Sequence, residues 1–534
     1  MKSFEWRRSR TAGITLLFCC AMAYGQSSDS MGQPVGLVDA LQFTLDKHPA
    51  LKIGQEQVVF SRAVRRQASG AFDTVIGTSL FQNRTNNPLT TFNQEEAGLL
   101  GIVTSDQITN VTTLDIGASK EFRNGVTVSP SVLNTRTTDN IYDIGGVNLT
   151  TLTIQVNVPL LRGRGRKVVG AAETAAAIEV EASLLDLNQT ISGLLSTTAS
   201  SYWNAVGAVR NLKVAQESED RGKTYVENVQ TLIAAGRVPK SEIYQVNANL
   251  ATRAAARIGG EQNLVAARQQ LALAMGMGID QMAGVGTPVE DFPADDAQIL
   301  AALGSRALQQ FIDLALAQRA DYLAAKKRET EQKTLLTAAR NGVLPQLNLS
   351  LNSGYSSLEE GTGVLNFLGA PGHAPRGPDV GVGLTYQFPP SNNVALGALA
   401  QAESNYHQAE LRTLQTSQSI VAGVVTAVAE VRNTALQLQK SRLAETASRA
   451  ALEGEREKYR LGVGQLVDVL TMEDRLTTAE QNQVAAQLAF ALALTQLRFA
   501  TGTIVAPEKA VQSVDPDIFL TVPVPADSKP AAGK

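Results

Sequence analysis

The stretch that decides the fold begins Asp379-Val380-Gly381-Val382-Gly383-Leu384-Thr385-Tyr386-Gln387-Phe388 and continues to Gly502. In its first ten residues valine, leucine and aromatic side chains alternate with glycine, threonine and glutamine. Such alternation marks a strand with one apolar face. After Pro389-Pro390 no proline occurs before Pro507. The helical pattern from Ser391 to Gly502 breaks once, at Leu461-Gly462-Val463-Gly464. Its two arms, of about 70 and 40 residues, would measure about 100 and 60 Å as helix. The longer arm far exceeds an ordinary globular helix. The stretch therefore predicts an element that spans a distance and is anchored at one end by a strand.

The same design occurs earlier. Leu152, Ile154, Val156 and Val158 alternate with Thr151, Thr153, Gln155 and Asn157, and Pro159 ends the run. A proline-free helical run follows from Val168 to about Ala235, turns at Ala235-Gly236-Arg237-Val238-Pro239, and returns to about Met275. Pro239 suits the first turn of that return helix. Leu51, Gly70, Asp73 and Val75 correspond to Leu323, Gly342, Pro345 and Leu347, each 272 positions later, and Gly236 corresponds to Gly462, 226 positions later. The chain is thus an internal two-fold sequence repeat, each half running helix, strands, long helix, turn, return helix. The smaller second offset places more strand sequence in the first half.

The intervening segments fill this frame. Gly36 to Ala71 is helical, broken at Lys47-His48-Pro49-Ala50-Leu51, because proline disfavours helix at the residue before it. Val75 to Phe81 is a weak strand and Asn83 to Asn110 a polar loop. Val111 to Phe122 and Val126 to Val132 flank Asn124-Gly125, a hairpin signal that could lengthen strands, form a lid or add strands. Helix resumes near Ala297, with a break at Ala320-Asp321, and runs to Asn341. Leu347, Leu349 and Leu351 then alternate with Asn348, Ser350 and Asn352, and Glu359 to Pro378 is a Gly/Pro-rich loop. The expected division is a signal segment at 1–25, a first repeat at 26–280, a connector at 281–310, a second repeat at 311–505 and a disordered tail at 506–534.

Composition bounds the function. The 534 residues carry a net charge of −3, which suggests no nucleic-acid partner, and only 5% aromatics, which suits thin, closely spaced helices. Lys2, Arg7, Arg8 and Arg10, the apolar run Ala12 to Ala23, and Ala23-Tyr24-Gly25 have the three parts of a secretory signal. The only cysteines, Cys19 and Cys20, lie within it, so the mature chain is expected to be free of thiols. No later stretch reaches 18 consecutive apolar residues, so membrane contact falls to strands.

Strands of about ten residues with one apolar and one polar face have the length and dyad pattern of a membrane β-strand between lipid and a wet lumen. The alternative, a sheet on a soluble core, needs a broad apolar helix face that the long segments lack. About four such strands cannot close a barrel around a lumen, and open edges are forbidden in lipid, so several chains must each donate strands. Helices of about 100 Å cannot lie within a core of about 30 Å and must project from it. An exported chain of this kind fits a Gram-negative-type outer membrane with its helices in the periplasm.

The chain resembles the TolC-type outer-membrane efflux proteins over nearly all of the mature sequence. The resemblance is carried by Ala40-Leu41 with His48-Pro49-Ala50-Leu51, by Arg319-Ala320-Asp321-Tyr322-Leu323, by Val343-Leu344-Pro345, by Pro159-Leu160-Leu161-Arg162-Gly163, and by Lys458-Tyr459-Arg460-Leu461-Gly462 with Val467-Asp468-Val469-Leu470. It implies a mixed α and β membrane protein: a trimeric β-barrel, twelve strands at about four per chain, continuing into a long periplasmic α-helical barrel. It also implies a homotrimer that works with a periplasmic adaptor protein and an inner-membrane transporter.

The same resemblance locates a site. In the family the far helix tips close the tunnel and dock the adaptor. Tyr459 and Asp468 match its gating tyrosine and aspartate, and three Asp468 carboxylates would form an acidic ring. Asp468 is equally suited to a solvated helix start. Gly464 and Thr471 stand where the family has a gating arginine and a second aspartate, which puts a latch of ion pairs between helices in doubt. Gly236, Arg237, Val238, Gly462, Val463 and Gln465 form the docking turns. Arg162, Arg164, Arg166 and Lys167 follow a strand end and suit the periplasmic membrane surface or plain solubilising charge.

Nothing points to catalysis, a cofactor or a metal. His48, His373 and His407 lie far apart, and Gly361-Thr362-Gly363 leads to no helix that could make it a phosphate loop. The expected function is a passive exit duct for efflux or type I secretion, driven by an inner-membrane pump. The competing expectation is a non-conducting structural protein that spans the periplasm.

Overall fold

The computed structural model describes residues 34–293, 296–304, 308–505 and 516–523, so the expected signal segment at 1–25 lies outside the described residues. The chain opens with α1 (Leu37–Lys47) and α2 (Pro49–Ser69), separated at His48. His48 caps α2, its Nδ1 accepting from the Ala50 amide at 3.1 Å, with Pro49 at the first helical position. Strand β1 (Val75–Pro88) follows, then α3 (Thr91–Leu99), β2 (Asp106–Glu121), β3 (Thr127–Asp139) and β4 (Val147–Pro159). A short turn of helix, α4 (Arg166–Val169), leads into α5 (Ala171–Ala234) and its return partner α6 (Glu242–Met275). The second half runs α7 (Asp296–Gly304), α8 (Leu308–Gln318), α9 (Ala320–Gly342), β5 (Gln346–Glu360), α10 (Val364–Gly369), β6 (Arg376–Gln387), α11 (Asn393–Arg460) and α12 (Leu466–Ala500).

The strands form one antiparallel sheet in the order β1-β2-β3-β4-β5-β6. Among the described residues the sheet thus has six strands, where about four were expected. The added pair is the hairpin β2–β3, which turns at Asn124-Gly125. That turn lies at the helical end of the sheet. The Gly165 amide donates to the Asn124 carbonyl at 3.0 Å, and Arg123 pairs with Glu173 of α5 at 2.6 Å. Gly125 has φ +92°, and a Cβ there would stand 2.2 Å from the Gly163 carbonyl oxygen, so only glycine fits. The hairpin thus adds strands and is not a lid.

Register fixes two unlike faces. Val128, Val156, Leu351 and Val382 form one row across β3 to β6, and the next row is Ser129, Gln155, Asn352 and Gly381 on the opposite face. The apolar face is uncovered over most of its height, with Leu351, Val382, Leu384 and Tyr386 exposed. Both edge strands leave backbone groups unpaired.

The helices form a wall four wide at each level. Near the sheet the order is α2-α5-α9-α11, and toward the far tips it is α6-α5-α12-α11. At about 95 and 100 Å, α5 and α11 run the full height. Between the levels, α1 packs on α5 and α6, and α7 and α8 pack on α11, where the apolar clusters around Tyr202, Trp203 and Phe490 lie. Over 18 residues α11 is apolar enough to pass for a membrane span, but it packs on α9 and α12 as part of this wall.

Other expectations change. The polar loop at Asn83 to Asn110 shrinks, because β1 continues to Pro88, α3 intervenes, and β2 starts at Asp106. The loop at Glu359 to Pro378 contains α10. The tail is ordered at 516–523: Phe519 is fully buried in the cluster around Tyr202 and Trp203, and Arg498 donates to the Thr521 carbonyl at 3.0 Å. A single aromatic anchor and a paired guanidinium outweigh the weak local propensity of that segment.

Candidate functional site

The far tips are built twice from one backbone device. In the α5–α6 turn, Gly236 has φ +68°, its amide donates to the Ile233 carbonyl, and the Arg237 amide donates to Leu232. In the α11–α12 turn, Gly462 has φ +79°, its amide donates to Tyr459, and the Val463 amide donates to Lys458. Both are Schellman caps, which need the left-handed conformation that glycine adopts freely. Gly464 adds a bond to the Lys458 carbonyl at 3.2 Å, and a Cβ there would press to 3.0 Å from the Tyr459 nitrogen. Any side chain at Gly464 would need its neighbours to give by a few tenths of an ångström.

Tyr459 and Asp468 have different surroundings. The Tyr459 ring is wedged between the hairpins, against Val229 of α5, Val246 of α6, and Leu466 and Leu470 of α12. Its hydroxyl is buried and makes no hydrogen bond, as does one carboxylate oxygen of Glu242. Burial and the Glu242 carboxylate push the phenol above its ordinary pKa. Asp468 is exposed in the first turn of α12, where the helix dipole favours a carboxylate. Arg237, Val463 and Gln465 are exposed at the tips, and Val238 is half-buried. A cleft of about 690 Å³ between the hairpins is lined by Tyr225, Val229, Arg237, Arg456, Tyr459 and Arg460.

Just above the tip lies a group that the sequence did not reveal. Glu473 of α12 is completely buried. It accepts from Arg221 of α5 at 3.0 Å, from Arg253 of α6 at 3.4 Å, from Arg456 of α11 at 2.5 Å, and from the Tyr225 hydroxyl at 3.1 Å. All four helices of the wall meet on this one carboxylate. Arg221 also reaches Glu480 at 3.1 Å, which Arg449 of α11 holds from the other side at 3.1 Å. Burial alone would push the Glu473 carboxyl up, but Arg221, Arg456 and Arg253 outweigh it and hold the group below the usual carboxylate range. Tyr225 is pushed up to about 12 by burial and by Glu473. Ion pairs between the helices are thus present near the tips, made by residues other than those at Gly464 and Thr471.

This buried ion-pair cluster has a pH signature. A carboxylate with a depressed folded pKa contributes stability that is fully present above its unfolded value, about 4.3, and is lost as pH falls through the folded one. The tips should therefore keep their amide-exchange protection between pH 7 and about 5 and lose it only below about 4. Loss of protection near pH 6 would exclude Glu473 as the controlling group.

The remaining sequence-marked residues fall elsewhere. Arg162, Arg164, Arg166 and Lys167 lie at the junction of sheet and helices, where the Arg162 amide donates to the Pro345 carbonyl. Arg319 and Asp321 pair at 2.6 Å at the start of α9.

The sequence profile of outer membrane efflux proteins matches residues 122–277 and 311–503, about two thirds of the chain. Comparison with curated proteins gives no match. Among solved structures, the Campylobacter jejuni CmeC outer membrane channel is similar with a TM-score of 0.62 at 17% identity, over 89% of this chain and 87% of that one. VceC, an outer membrane protein of Vibrio cholerae, aligns with a TM-score of 0.60 at 18% identity, over 87% and 96%. The open-state MtrE outer membrane channel of Neisseria gonorrhoeae aligns at 0.58 and 16%, over 87% and 88%. Identities this low establish a shared fold, and the profile match establishes kinship: the chain belongs to the outer membrane efflux protein family.

Proposed function

We propose that three copies of the chain close into one exit duct, driven by an inner-membrane pump and contacted at its far tips by a periplasmic adaptor. The observation that carries this is the two-faced sheet running directly into a helical wall of matching width. As a member of its family the chain resides in the outer membrane, with its helices extending into the periplasm. Strand β1 and strand β6 run antiparallel and are both open, so β6 of one copy can pair with β1 of the next. Three copies then give an 18-stranded barrel rather than the twelve strands implied by the resemblance. Six strands at about 4.8 Å spacing and about 40° tilt occupy about 38 Å of perimeter. Four helices at about 9.5 Å occupy the same width. The extra hairpin thus lets the sheet meet the helices without a step. The similar element order of the two halves supports the internal repeat, which places the Gly236 and Gly462 turns side by side at the mouth.

In this duct Asp468 of each copy faces the constriction and Tyr459 holds the hairpin that carries it. Like charges in a narrow mouth attract multivalent cations. Trivalent cations added from the periplasmic side should block single-channel current, and Asp468→Ala should abolish the block. Equal block in the variant would remove Asp468 from the mouth.

A further inference from the structure

We infer that the β5–β6 connection is a lipid-seated plate, folded onto the outer wall of the sheet, that completes the apolar belt over β3, β4 and β5. The inference rests on the barrel reading, in which the apolar face of the sheet looks outward. That face ends early on these strands. Its rows on β5 run from Leu347 to Tyr355, about 26 Å along the strand. At barrel tilt this is about 20 Å of height, against an outer-membrane band of about 25 Å. The next row should continue the belt, and on β1 and β2 it does, with Leu80 opposite Leu114. Across β3, β4 and β5 the same row is Asn134, Thr150 and Ser357. Bare amides and hydroxyls there would face lipid.

They are not bare. Asn134, Thr150 and Ser357 are 3%, 0% and 2% exposed. What covers them is the segment around α10, which lies on the same face. The Asn134 amide donates to the Phe367 carbonyl, the Ser357 hydroxyl donates to Ala370 at 2.5 Å, and Tyr355 donates to Pro371 at 3.2 Å. One row higher, Arg136 donates to the Gly363 carbonyl at 2.7 Å and its guanidinium lies 4.9 Å from the Phe367 ring. The polar side chains of these rows are thereby paired, partly with the segment's carbonyls and partly with one another, as where Thr150 donates to the Asn134 side chain at 3.2 Å. Phe367 points inward, while Val364, Leu365 and Leu368 point away and are 68%, 84% and 59% exposed. The polar patch is replaced, at the height where the belt falls short, by three aliphatic side chains continuous with it. Such an apolar face buries itself at the boundary of headgroups and acyl chains. The occupant is the outer leaflet itself.

Tryptophan fluorescence tests this. The mature sequence has one tryptophan, Trp203, which is fully buried among the helices and gives a constant background. Leu365→Trp, Leu351→Trp on the belt and Thr153→Trp on the polar face would each be made in the full chain. The assembled proteins would be reconstituted in phosphatidylcholine vesicles brominated near the headgroup or at mid-chain. The added emission of Leu365→Trp should be blue-shifted and lost mainly to shallow bromines. That of Leu351→Trp should be lost mainly to deep bromines, and that of Thr153→Trp to neither. Quenching at Leu351→Trp without quenching at Leu365→Trp or Leu368→Trp overturns the plate and leaves the barrel standing. A blue-shifted, unquenched Leu365→Trp means that another copy covers the segment, and this too overturns the plate. No quenching at Leu351→Trp overturns the barrel reading.

Discussion

Replacing Glu473 by alanine is expected to loosen the far tips by about 3–5 kcal/mol and to raise the conductance of the duct. The estimate is that for removing one partner of a buried ion pair, which leaves the other charges buried without compensation. Here three guanidiniums, from Arg221, Arg253 and Arg456, lose their common acceptor at once. The effect should be local, because the carboxylate joins the α5–α6 hairpin to the α11–α12 hairpin close to their ends. Amides at 225–246 and 456–476 should exchange faster, and those of α1, α7 and α8 should not. Glu473→Gln should fall between, since it keeps the size and loses the charge. Asp474→Ala, which removes the exposed partner of Arg253, should cost less than about 1 kcal/mol. Unchanged tip exchange in Glu473→Ala would show that the hairpins are held by the apolar wedge around Tyr459 instead.

The second large effect is expected at the middle of the sheet. Leu351→Arg should destabilise the assembly by about 2–4 kcal/mol per chain, because an arginine at mid-depth on the lipid face must deform the bilayer or snorkel. Asn352→Arg, one residue further along, projects from the opposite face and should cost little. The temperature at which the assembly dissociates in lipid reads this difference directly. Equal losses at the two positions would mean that both faces meet the same environment, which no barrel provides.

The sequence showed the parts of this fold that depend on local pattern. Alternation in Thr151 to Val158 and Val380 to Phe388 marked strands and their faces, and the absence of proline from Ser391 to Val505 marked the long helices. Gly236 and Gly462 marked the tips, since a left-handed cap needs glycine at a fixed place. The count of about four strands came with the resemblance, which left the hairpin around Asn124-Gly125 undecided, while the sequence marked β1 and β2 but made both too short. Gln82, Arg84, Asn86 and Asn110 belong to strand ends beyond the apolar belt, so their composition resembles a loop.

The ion-pair cluster was hidden for another reason. Glu473 and its three arginines are separated by 17 to more than 200 positions. A charged residue in an alanine-rich helix has no periodicity that tells a buried hub from a solvated face. Only the order α6-α5-α12-α11 brings the four together. The positions at which the resemblance puts such ion pairs, Gly464 and Thr471, lie nine and two residues before Glu473, on whose carboxylate this chain gathers its arginines.

The most direct test of the duct is single-channel recording from the reconstituted, assembled chain in planar bilayers, with Glu473→Ala beside the unaltered protein. Discrete current steps are expected from both, larger in Glu473→Ala, where the mouth is unlatched. An inserted assembly that passes no current in either form would contradict the duct and leave a scaffold that spans the periplasm without conducting.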